Sequence, residues 1–186
     1  MASLSTAAPG ALEQVRQFVN TLDLEAGADQ ISDPGRLRQW LAAHGHTTGV
    51  APSADDVSRA IELREALREA AAANHDGSDV PAEARKTLNR WAARAQLTVE
   101  FTTDGGYRTT SRTGGVQGAI GALLVIVADA MTDGTWARLK VCTNDLCRWA
   151  FYDNSRARTG KWCSMQVCGN RAKQRAWRDR HTSQHP

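Results

Sequence analysis

The 186-residue sequence predicts a mainly α fold with a small β-hairpin, in which a multihelical N-terminal domain is followed by a compact four-cysteine module. Three observations carry this reading. Apolar residues recur at three- and four-residue spacings through most of the first 138 residues. Strict alternation replaces that period only around Leu97–Phe101 and after Tyr107. All four cysteines, Cys142, Cys147, Cys163 and Cys168, lie in the last 45 residues as two C-x4-C pairs separated by a 15-residue insert. The expected organisation is a helical domain over 1–138 with a hairpin near 97–110, a cysteine module over 139–181 and a flexible tail over 182–186.

The first helix is expected from Leu12 to Leu24, with Leu12, Val15, Phe18, Val19 and Leu22 on one apolar face. Asn20 and Thr21 interrupt that face, as a cap, a buried hydrogen-bonded pair or part of a ligand pocket. Asp33-Pro34 has the N-cap and N1 residues of a second helix, with Leu37, Trp40 and Leu41 inward and a turn at His44-Gly45-His46. Ser53 precedes a third helix reaching Ala73, packed through Val57, Ile61, Leu63, Leu67 and Ala70; its ELREALREAAAA run is rich in helix formers and in acid-base pairs three or four apart. Pro81 opens a fourth helix to Arg94 anchored by Leu88 and Trp91. Leu97, Val99 and Phe101 then alternate with polar residues, and Asp104-Gly105-Gly106 turns the chain into a second strand. After Gly114-Gly115 a fifth helix, apolar around most of its circumference from Ile120 to Met131, is the expected centre of the domain.

Few side chains in this region invite chemistry. His44 and His46 have no acidic partner at ligand spacing and read as solvated turn residues, and a turn explains His75. Asp129, embedded in the apolar helix with Arg138 shortly after, reads as an internal ion pair, because a buried carboxylate requires a partner; a ligand contact is the alternative, which makes Asn20 and Asp129 the candidate pocket residues. No nucleophile with a base, phosphate loop, HExxH motif or acid pair is present. An enzyme with a pocket in the helical domain, joining His44, Asp129 and Asn20, is the weakest reading.

The opening MASLSTAAPG has no basic start or apolar run of a signal peptide. Gly118–Met131 is 14 residues long and contains Asp129, short of a bilayer span, so a cytoplasmic protein without a membrane partner is expected. In a reducing compartment clustered cysteines bind metal more often than they form disulfides. Two local thiolate pairs can close a tetrahedron around one Zn2+, and four thiolates leave no position for a catalytic water, so the ion is structural.

From Leu139 onward ten basic residues face three acidic ones, whereas the first 138 residues have 13 basic against 17 acidic. One cationic end on an otherwise acidic chain is the distribution of a polyanion-binding module. Within it, Val141–Arg148 forms a knuckle carrying Cys142 and Cys147. Trp149, Phe151 and Tyr152 form a strand, Asp153 to Gly160 a basic turn, and Lys161-Trp162 the returning strand to Cys163. Ser164 then caps a helix whose first turns contain Cys168. Knuckle, hairpin and helix in that order describe a treble-clef-like zinc finger. At about 40 residues it is too small to fold without its metal.

The helix continues as GNRAKQRAWRDR. Arg171, Gln174, Arg175 and Arg178 form a basic stripe, with Ala172, Ala176 and Trp177 turned toward the knuckle or the adjoining domain. Such a helix suits the major groove of double-stranded DNA, with Arg171 and Gln174 at base edges and Lys173 and Arg178 on phosphates; a solvated basic face is the bland alternative. Asn170, beside Cys168, reads as a residue that hydrogen-bonds backbone or thiolate and holds the metal loop.

WCSMQVCGNRAKQRAW and CTNDLCRWAFYDNSR closely resemble the two halves of the CGNR zinc finger family, with Cys168-Gly169-Asn170-Arg171 matching the tetrad that names it. The preceding alanine-rich region, with FVNTLDL near its start, is similar to the domain that accompanies this finger in bacterial proteins. The resemblance implies a stress-related transcriptional regulator, nucleoid-associated when bound to DNA, whose helical domain senses a small-molecule effector. Homodimerisation through that domain would supply a second half-site, since a single finger has little contact area. A zinc-stabilised RNA-binding or protein-interaction adaptor is the alternative, with Trp149, Phe151, Trp162 and Trp177 as stacking or anchor residues.

Overall fold

The structure is a computed structural model that describes residues 7–182, excluding the side chains of residues 176, 179, 180 and 182. The tail expected over 182–186 lies outside these residues apart from the backbone of residue 182. Six α-helices and three separate two-stranded antiparallel sheets are described.

Helix α1 (Leu12–Val19) is shorter than its apolar pattern predicts. It stops at Asn20 because the next polar side chains are already engaged: Asn20 bonds to Ala150, and the Thr21 hydroxyl donates to the Phe18 carbonyl at 2.8 Å. The chain then forms a small ribbon, β1 (Leu22–Asp23) with β2 (Ala28–Asp29). Helix α2 (Pro34–Ala43) starts as expected, with the Asp33 carboxylate accepting from the Arg36 amide. Helix α3 (Ala54–Ala72) carries a reciprocal capping box, in which Ser53 Oγ accepts from the Asp56 amide and the Asp56 carboxylate accepts from the Ser53 amide. Helix α4 (Ala82–Arg94) leads into the hairpin β3 (Leu97–Phe101) and β4 (Tyr107–Ser111), paired from Leu97↔Ser111 to Phe101↔Tyr107.

Helix α5 (Gly115–Thr132) buries Val116, Ala119, Ile120, Leu123, Leu124, Val127 and Ala130 against α1, α4 and the hairpin. By length and composition it could cross a bilayer, yet it is the core helix here. Gly121 lets it approach closely, since a Cβ there would stand 2.9 Å from that of Ala95 and closer still to the Ser111 side chain. Asp129 corrects the expectation of a buried carboxylate. It lies on the exposed stripe of α5 and lines a shallow hollow with Pro9 and Asp133, away from Asn20. Arg138 instead donates to the Ser155 carbonyl at 2.8 Å and lies over the Tyr152 ring.

The third sheet also departs from expectation. Trp149–Tyr152 does not pair with Lys161-Trp162. Instead β6 (Ala150–Tyr152) pairs backward with β5 (Leu139–Val141), the strand that precedes the knuckle. The reason is burial: Leu139, Val141, Ala150 and Tyr152 join the main apolar core with α1, α3 and α5, which an isolated finger hairpin could not provide. Lys161 contributes only its carbonyl, which accepts from the Thr143 amide at 3.0 Å.

Candidate metal centre and nucleic-acid interface

The knuckle is built from local bonds. The Asn144 carbonyl accepts from the amides of Cys147 and Arg148 at 2.8 and 3.0 Å, and Arg148 closes the turn in the left-handed region at φ 48°. The Cys142 amide donates to the Trp149 carbonyl at 2.9 Å, which anchors the first ligand to the base of β6. On the other side Ser164 caps a five-residue π-helical turn, Met165–Gly169, which presents Cys168 just before α6 (Asn170–Thr182) begins.

These segments bring the four sulfurs within 4.8 Å of one another. The Cys147–Cys163 and Cys163–Cys168 separations are 3.6 and 3.8 Å. A tetrahedron with Zn–S bonds of about 2.3 Å has edges of about 3.8 Å, so the cluster has the dimensions of a four-thiolate zinc site. Its electrostatics demand a cation as well. Hydrogen bonds from the Cys147 and Cys163 thiols favour ionisation at Cys142, and the thiolate so formed opposes ionisation of Cys147 and Cys163. Thiols this close cannot all ionise unless a dication neutralises them. The donor set therefore fits one structural Zn2+ held by Cys142, Cys147, Cys163 and Cys168.

Several residues that the sequence left unmarked support the centre. Asn144 is buried and its amide lies 3.8 Å from Cys168 Sγ. Of the two bonds expected of Asn170, to backbone or to thiolate, its side chain makes the backbone one, donating to the Gln166 carbonyl at 3.0 Å, and so fastens the π-helical turn. Arg68, fully buried, donates to the carbonyls of Arg148 and Val19, both at 2.8 Å, and is oriented by Glu65. His75 corrects its reading as a turn residue, for its ring nitrogen bonds the Val141 carbonyl, while Asn74 donates to the carbonyls of Trp136 and Leu139. Lys140 and Asp153 form an ion pair at 2.9 Å beneath the basic turn, both buried. The helical signal for Arg68 was present: with Arg64 it falls on the stripe of Ala60, Leu67 and Ala71, all buried.

Helix α6 projects from the metal centre with Arg171, Lys173, Gln174, Arg175 and Arg178 exposed. Arg171 forms an ion pair with Glu25, in the turn between β1 and β2, at 2.7 Å. Trp177 is 55% exposed and stacks on His181 with ring centroids 4.1 Å apart, rather than being buried toward the knuckle or the adjoining domain. The side chain of Ala176 lies outside the described residues. His44 and His46 are not merely solvated. The His44 ring stacks on Trp40 at 3.9 Å and bonds Gln17, and His46 bonds Gln14 at 2.7 Å, so both tie the end of α2 to α1. Asn20 is buried, with both ends of its amide committed to Ala150.

Two known families match the chain. The family ABATE, described as "Putative stress-induced transcription regulator", matches residues 14–134. The CGNR zinc finger matches residues 138–181. Both are regulatory or zinc-finger types rather than catalytic domains. No curated protein matches the chain.

Proposed function

The chain belongs to the ABATE family and carries a C-terminal CGNR zinc finger, and from that premise we propose that it is a cytoplasmic regulator that binds double-stranded DNA through α6. One observation carries the reading. The four-cysteine centre holds the start of a helix whose exposed surface displays Arg171, Lys173, Gln174, Arg175 and Arg178. A rigid basic helix of this kind supplies phosphate contacts and side chains suited to base edges. The remainder of the chain, 1–138 in this reading, acts as the sensing or dimerising part, and a homodimer would double the small contact area of one finger.

The test is selection of bound duplexes from a randomised pool by the zinc-loaded protein at near-physiological salt, with a chelated control. Recovery of a zinc-dependent motif is expected, palindromic if the protein dimerises. In salt titrations Lys173→Ala should lower the slope of log K against log salt by about 1. Gln174→Ala should relax preference at one position if it reaches a base edge.

A second reading has its own observation. Trp177, exposed and stacked on His181, shares a shallow hollow with Lys173, Gln174 and Arg178. Aromatic rings among cations are stacking platforms for unpaired bases, worth about 1–3 kcal/mol per base. A single-stranded oligonucleotide that outcompetes every selected duplex, in a manner abolished by Trp177→Ala, would favour this reading over duplex binding.

A further inference from the structure

A groove of about 620 Å³ runs between α1, α2 and the finger, a volume within the range occupied by small-molecule ligands. Its buried floor includes Asn20 and Trp40, and its rim carries the exposed side chains of Arg36 and Gln39. Trp149 contributes the finger's share of the lining.

The donors and acceptors of this groove are unequal. Arg16 and Arg36 line it, and no carboxylate does. Each guanidinium is steadied from outside the lining, Arg16 by Glu13 through Nε and Nη2 and by the Ala150 carbonyl at 3.5 Å, Arg36 by Asp33 at 3.3 Å and by the Asp29 carbonyl at 3.2 Å. A guanidinium has five N–H donors, of which these contacts engage three in Arg16 and two in Arg36, so both retain N–H groups for a ligand. With the charge of each partly balanced, the groove offers oriented donors more than net charge. The Trp149 indole and the His44 imidazole, itself stacked on the buried Trp40, supply flat ring surface beside them. A cation finds no counter-charge here. A carboxylate attached to a planar ring matches both halves of the lining.

The same groove touches the metal centre through one residue. Trp149 lies two positions after Cys147, and its carbonyl accepts the Cys142 amide. Its neighbour Ala150 is clamped by Asn20 in the floor. Whatever packs against Trp149 and Asn20 therefore bears on the segment that leaves the knuckle, two positions after Cys147 and hydrogen-bonded to the Cys142 amide.

We propose that this groove binds a small planar organic anion of the aromatic carboxylate class and that its occupation steadies the metal-holding knuckle. The inference rests on the regulatory reading above by naming the class of effector and its route to the finger, but its test does not require DNA. The zinc-loaded full-length protein is titrated calorimetrically with salicylate, its neutral amide salicylamide, and benzylamine. Salicylate should bind at least about tenfold more tightly than either. Gln39→Glu, an exposed change that sets a like charge at the rim, should weaken salicylate at least about tenfold without altering zinc content, and Trp149→Leu should weaken it by removing the aromatic wall. Salicylate at a concentration that saturates the parent should slow zinc loss to a chelator there, and slow it less in Gln39→Glu, which that concentration fills only in part.

Absence of salicylate binding, equal binding of the amide, or indifference to Gln39→Glu would overturn the site, and unchanged zinc release at saturation would overturn the coupling. If salicylate passes these tests while no nucleic acid is bound, the DNA-binding reading fails and the groove stands. If DNA is bound and salicylate is not, the groove alone fails.

Discussion

Asn20 and Ala150 exchange two hydrogen bonds across 130 residues of sequence, Asn20 Nδ2 donating to the Ala150 carbonyl at 2.9 Å and the Ala150 amide donating to Asn20 Oδ1 at 2.7 Å. The carboxamide acts as a one-residue strand. It satisfies the edge of β6 that faces away from β5, where both backbone groups are buried beside the core. Truncating it orphans the Ala150 amide and leaves its carbonyl only the long Arg16 contact at 3.5 Å, so Asn20→Ala should destabilise the zinc-loaded protein by about 1–3 kcal/mol in denaturant titrations. Asn20→Asp should not rescue it, because one carboxylate oxygen would face the Ala150 carbonyl. Equal stability of parent and Asn20→Ala would mean that water replaces the amide and the clamp has no mechanical role.

Metal removal should not melt the finger uniformly. Leu139, Val141, Ala150 and Tyr152 belong to the main core, whereas the cysteines pack only with one another, Trp149 and Trp162. Chelation, or Cys163→Ser, should therefore abolish amide-exchange protection in residues 143–148 and through α6, while Leu139–Val141 and Ala150–Tyr152 keep most of theirs. Loss of protection in β5 and β6 together with the knuckle would show that the metal also organises the core strands. Unchanged protection in α6 would show that the helix start does not depend on the ion.

What the sequence disclosed and what it concealed follow from range. The Ser53 cap, the Asp33-Pro34 start, the Asp104-Gly105-Gly106 turn and the paired cysteines are settled by residues within a few positions of one another, and all appear where expected. The pairing of β6 with β5 was hidden because it depends on burial against α1 and α3, which no local pattern reports. Arg64 and Arg68 were hidden for the opposite reason, since charged residues in an alanine-rich helix read as its wet face although their positions continue the stripe of Ala60, Leu67 and Ala71. Asp129 misled because α5 is apolar nearly all round. Only the three-dimensional packing shows that Ala122, Val125, Ile126 and Asp129 form its less buried side.

Arg68 and Arg148 lie on the same boundary and should differ sharply in energetic weight. Arg68 is 1% exposed and its guanidinium serves two backbone carbonyls. Arg68→Met removes two charge-assisted bonds and strands both acceptors, for a cost of about 3 kcal/mol or more. The Arg148–Glu69 pair, at 2.8 Å, has side chains 33% and 41% exposed. Solvent screens such a pair, and a double-mutant cycle should return a coupling below about 1 kcal/mol. A larger coupling would mean that the knuckle is held by this surface pair rather than by the buried arginine.

The Lys140–Asp153 pair gives a prediction in pH. Burial pushes the Asp153 carboxyl upward, but hydrogen bonds from Ser155, Lys140 and the Gly160 amide outweigh it and hold the group well below the usual carboxylate range. A carboxylate whose folded value is depressed contributes fully above its unfolded value of about 3.9 and loses that contribution as pH falls below it. The stability difference between the parent and Asp153→Asn should accordingly be flat from about pH 8 to pH 5 and shrink only below about pH 4. At neutral pH the variant leaves the Lys140 ammonium, 1% exposed, with the Arg158 carbonyl but no counter-charge, and should cost about 3–5 kcal/mol. Adding Lys140→Met removes the stranded charge, so the double variant should recover a substantial part of that loss, because an unpaired buried charge is worse than none. A double variant no more stable than Asp153→Asn would locate the cost instead in the Ser155 and Gly160 amides that lose their charged acceptor.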